Sequence, residues 1–105
     1  MSESSSFAEL VNEWIAKAET DFASKSLEEL EKLEDKCAMN GVMLRKQSND
    51  KSRDPGERFE LYRDSLRCEV RTRVAVYLQQ VGSETPLDAE WKARLYEDVI
   101  ERLDS

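Results

Sequence analysis

Apolar side chains recur in steps of three and four along most of this 105-residue chain. The first stripe is Phe7, Leu10, Val11, Trp14, Ile15, Ala18 and Phe22. That spacing puts side chains on one face of an α-helix. Ser6 stands just before the stripe and Glu9 three residues after it, the form of a capping box. A first helix is therefore predicted over about residues 7–23, behind a disordered tail at residues 1–5.

Ser26-Leu27-Glu28-Glu29 repeats the capping-box form. Leu27, Leu30, Leu33 and Cys37 then continue as a stripe, with charged residues largely off it. Asn40-Gly41 has the character of a helix stop, since glycine tolerates a left-handed backbone. Gly41 and Leu44 nevertheless fall on the same stripe. Stopping there would leave about 13 residues without structure, which is long for a compact domain. The second helix is read to about Lys46, with a bend at Gly41 as an option. Residues 47–53 read as a loop.

Asp54-Pro55-Gly56-Glu57 is a helix start, with Asp as N-cap and Pro at the first helical position. The third helix runs to about Val81, with Gly82 as its stop. At about 1.5 Å per residue it spans roughly 40 Å. Phe59, Tyr62, Leu66, Val70, Val74, Tyr77 and Val81 mark one face, and Leu61, Cys68 and Ala75 a second. Two stripes imply neighbours on both sides. Thr85-Pro86-Leu87-Asp88 opens a fourth helix by the same proline logic, with Leu87, Trp91, Leu95, Tyr96, Val99, Ile100 and Leu103 covering a broad arc.

The expected fold is all-α, an irregular four-helix bundle with a long central third helix, one domain over residues 6–105. Composition agrees: three Gly and two Pro leave little room for many short strands and turns. No apolar run approaches the roughly 18 residues of a membrane span. The N-terminus has neither the basic region nor the apolar stretch of a secretory signal. A cytoplasmic setting is expected, with Cys37 and Cys68 as free thiols.

Candidate chemistry is sparse. Histidine is absent, which removes the commonest general base and metal ligand. There is no Gly-rich phosphate loop, and the cysteines have no metal-ligand spacing. Helical pyrophosphohydrolases hold magnesium with Glu-Glu-x-x-Glu and a later Glu-x-x-Asp. Here Lys32 stands where the third carboxylate belongs, and that pattern fails. No catalytic residue, cofactor or metal is expected, and an enzyme is not the reading.

Charge is more informative. Residues 1–40 hold ten acids and four bases, residues 41–80 six acids and nine bases, and residues 81–105 seven acids and three bases. A basic centre thus sits in a chain of net charge −7. Arg63, Arg67 and Arg71, four apart, line one ridge of the third helix. They would bind phosphates or an acidic partner, or pair internally with the acidic second helix. A hairpin turning near residue 50 would set Glu34 level with Arg67 and Cys68 level with about residue 33. Internal pairing is the favoured reading. Nucleic-acid binding through the ridge is the alternative, disfavoured by the negative total. A DNA mimic presenting the acidic faces is a further alternative.

The region around Met39, Val42 and Met43 carries apolar groups beyond what one inward face needs. Those three residues are the candidate partner-binding surface. The expected function is protein–protein interaction by a small adaptor, regulator or stoichiometric inhibitor, with a homodimer among the expected states.

Overall fold

A computed structural model describes residues 3–104. Four helices follow one another: α1 (Glu3–Phe22), α2 (Leu27–Ser48), α3 (Pro55–Val81) and α4 (Ala89–Asp104). No strand occurs among the described residues, and the architecture is an irregular all-α bundle built around the long α3.

The local signals act as the sequence suggests at three helix boundaries. Ser26 and Glu29 form the reciprocal box, each backbone N–H donating to the other side chain at 3.1 Å. Hydrogen bonding from Ser26 to the ionised carboxylate, its backbone N–H first, lowers the pKa of Glu29. Asp54 Oδ2 accepts from the N–H of Gly56 at 3.0 Å, with Pro55 as first helical residue. Gly82 ends α3 at φ 99°, a conformation that disfavours any residue with a Cβ.

Two boundaries differ from expectation. Ser6 lies inside α1, which is already helical at Glu3. Nothing between Glu3 and Ser6 breaks a helix. Residues 3–5 are thus helical, while Met1 and Ser2 lie outside the described residues. Helix α4 starts at Ala89 rather than at Pro86. Asp88 is the effective cap, since its Oδ2 accepts from the N–H of Trp91 at 3.0 Å. Pro86 precedes the helix because Leu87 is drawn into the core, 5 % exposed. Its N–H donates to Glu19 of α1 at 2.8 Å instead of entering a helical turn.

The apolar core is mainly the work of three helices. Val11, Trp14, Ile15, Ala18 and Phe22 come from α1, and Leu66, Val70, Val74, Ala75 and Leu78 from α3. Leu95, Val99 and Leu103 complete it from α4. Both α3 stripes are used: Cys68 and Ala75 of the weaker one are buried, whereas Phe59 and Val81 at the ends of the stronger one are exposed. Arg73 binds Asp98 at 2.8 Å, and Arg102 pairs with Glu69 and Asp98, so α4 is tied to α3 by charge as well as by packing.

Helix α2 contributes only Leu30 to the fully buried cluster. It lies along α3 through small residues. A Cβ placed on Gly41 would sit 3.3 Å from Cys68 Cβ and 3.6 Å from the Ser65 carbonyl oxygen. Ser48 and Ser65 are buried in this seam, and each hydroxyl donates to a carbonyl one turn back, at 2.6 Å. Polar clamps close both ends: Arg58 Nε donates to the Ser48 carbonyl at 2.9 Å, and Gln79 Nε2 to Glu34 at 2.8 Å. Helix α2 runs unbroken through Gly41.

This register corrects the expected one. Glu34 meets Gln79, not Arg67, and Cys68 lies beside Gly41, not level with residue 33. Closest approach at the smallest residue sets the register, and charge pairing between the ridge and α2 does not. The chain also reverses later than expected, over residues 49–54.

Two substitutions test this packing. Leu66→Asp, at a site with no exposure, is expected to unfold the protein, because an unpaired buried charge costs several kcal/mol, comparable to the stability of a small domain. Glu31→Gln, exposed on α2, should change stability by less than about 0.5 kcal/mol. Equal thermal midpoints would refute the assigned face of α3. Gly41→Leu should cost about 1–3 kcal/mol by forcing the seam apart, read from urea denaturation; an unchanged midpoint would show that α2 and α3 are not in close contact there.

Candidate functional site

Because α2 packs chiefly on α3, its opposite side faces outward. Met39, Val42 and Met43 stand on that side with 68 %, 62 % and 55 % exposure. In steps of three and four they share a ridge with Asp35 and Lys46, both exposed. Acids crowd the first half of the helix (Glu28, Glu29, Glu31, Glu34, Asp35) and Arg45 and Lys46 end it. Beside the ridge runs a groove of about 420 Å³, whose walls include Ala38 and Val42 on α2 and Ser65, Glu69 and Thr72 on α3. The groove exists because the seam below it is built from small side chains. All three residues read from the sequence as partner-binding thus share one exposed face.

The arginine ridge is divided. Arg71 is half-buried, bound to Asp21 of α1 at 3.1 Å and stacked over the Phe22 ring at 4.8 Å. Arg67 is exposed and Arg63 half-buried, and neither makes an ion pair among the described residues. The favoured expectation of pairing with α2 therefore fails. The one internal partner comes from α1, brought there by the packing of Phe22 and Ala18 on α3.

Both cysteines are free thiols. Burial pushes the Cys68 thiol pKa up, and the nearby Cys37 adds to the shift. No group of three or more His, Cys, Asp or Glu side chains that could hold a metal occurs among the described residues. None of the described helices is long and apolar enough to cross a membrane.

Compared with protein-family models, curated proteins and solved structures, the chain matches none.

Thiol chemistry gives a direct check on this region. In the folded protein at neutral pH, Cys37 should alkylate faster than Cys68, whose thiol is both buried and held protonated. Peptide mapping after timed exposure to iodoacetamide reads the two rates, and denatured, unreduced protein should yield two free thiols. Faster reaction at Cys68, or no free thiol at all, would contradict the seam as described.

Proposed function

We propose that this chain is a protein–protein interaction module, an adaptor, regulator or stoichiometric inhibitor, that works as a symmetric dimer through the outward face of α2. The observation that carries this reading is the cluster of Met39, Val42 and Met43, more than half exposed on a helix whose other side is already packed. Exposed apolar side chains grouped in this way favour a protein partner over solvent.

The charge pattern selects a second copy as that partner. Residues 35 and 46 lie at equal distances on either side of the midpoint between Met39 and Val42. Two antiparallel α2 helices crossing at that midpoint set Met39 against Val42 of the partner subunit. The same two-fold axis sets Asp35 against Lys46 of the partner subunit, twice. The acidic first half of each helix then faces the basic end of the other. A parallel pair would instead oppose like charges along its length. A two-fold contact is self-complementary by construction and is the commonest arrangement of soluble oligomers. Free thiols support a cytoplasmic setting.

Sedimentation equilibrium at micromolar concentration should return a dimer. Met43→Glu should yield a folded monomer, because an exposed side chain contributes little to the fold itself. Asp35→Lys and Lys46→Asp should each weaken the dimer, and the two together should restore it by exchanging the sign of both partners. A monomeric parent protein, or a double variant weaker than either single one, would overturn the proposal.

A further inference from the structure

Lys17 of α1, Lys36 and Asn40 of α2, and Arg67 and Arg71 of α3 converge on one hollow of about 300 Å³. No carboxylate lines it. In a chain of net charge −7 this is a local reversal of the overall sign. Arg71 is fixed in place by Asp21 and Phe22. Lys17, Lys36 and Arg67 are exposed and make no ion pair among the described residues. Cations from three helices brought around a concave surface focus positive potential there and repel one another until an anion enters. The Asn40 amide can add a donor.

We infer that this hollow binds a small, multiply charged anion of the phosphate class. Its size is that of a small-ligand site, not of a docking helix. Lysines supply mobile point charges, and arginines supply planar forks that match phosphate oxygens. Arg63 does not line the hollow. A pocketed anion and a polynucleotide laid along the ridge therefore make different demands on that residue. The inference is independent of the α2 dimer, which uses neither arginine.

Calorimetric titration of the intact, reduced protein with tripolyphosphate at low salt tests it. Saturable binding at one site per chain is expected. Lys36→Glu and Arg67→Glu should each weaken it about tenfold or more. Arg63→Glu and Arg94→Glu should each weaken it clearly less than either of those, since neither side chain lines the hollow. Tripolyphosphate should also slow alkylation of Cys37, which lines the hollow. Circular dichroism of each variant separates loss of binding from loss of fold. Absence of saturation with the folded parent protein would overturn the inference. So would an equal loss from Arg63→Glu, or tighter binding of a single-stranded oligonucleotide that requires Arg63.

Discussion

The contact on which the rest depends is the approach of α2 to α3 through side chains too small to hold them apart. Gly41 faces Cys68 at a distance where an added carbon would already be crowded, and Ser65 at ordinary contact distance. Ser48 and Ser65 are buried without cost because each hydroxyl turns back to its own helix for an acceptor. The polar clamps at Arg58 and Glu34 close the two ends. Burial of large apolar groups, which joins α1, α3 and α4, plays a minor part here: α2 buries fully only Leu30.

Two features of the surface follow from that economy. A helix held by a narrow inward strip has most of its circumference left for solvent or partners, which is why Met39, Val42 and Met43 stand out together. Close approach also leaves shallow ground on both flanks. One flank is the groove bounded by Val42 and Thr72. The other is the cationic hollow, where α1 crosses near enough for Lys17 to join the side chains of α2 and α3.

Much of this was legible in the sequence wherever the cause was local. Ser26, Asp54, Pro55 and Gly82 act through neighbours within four residues, and the boundaries they set are the ones observed. The outward position of Met39 and Met43 was legible because it follows from helical spacing alone. What failed was register and convergence. A turn near residue 50 would put Glu34 level with Arg67, but the register of two helices is decided by where they fit most closely, and in the sequence Gly41 has the form of a stop or a bend and not of a contact. Pro86 misled because Leu87 serves the core before it serves a helix. The partnership of Lys17 with Arg67 left no trace in the linear order, since three helices must pack before those residues meet.

The one-sided attachment of α2 divides the labour of its residues. Positions 41 and 48 must stay small or the scaffold opens, and so they have little freedom to vary. Positions 39, 42 and 43 carry almost no duty to the fold and can be exchanged at little cost in stability. A chain built in this way can change its exposed face by a handful of substitutions without being refolded. On the proposed reading, recognition is thereby uncoupled from architecture within a single helix, one edge of it bound to the scaffold and the other free to follow a changing partner.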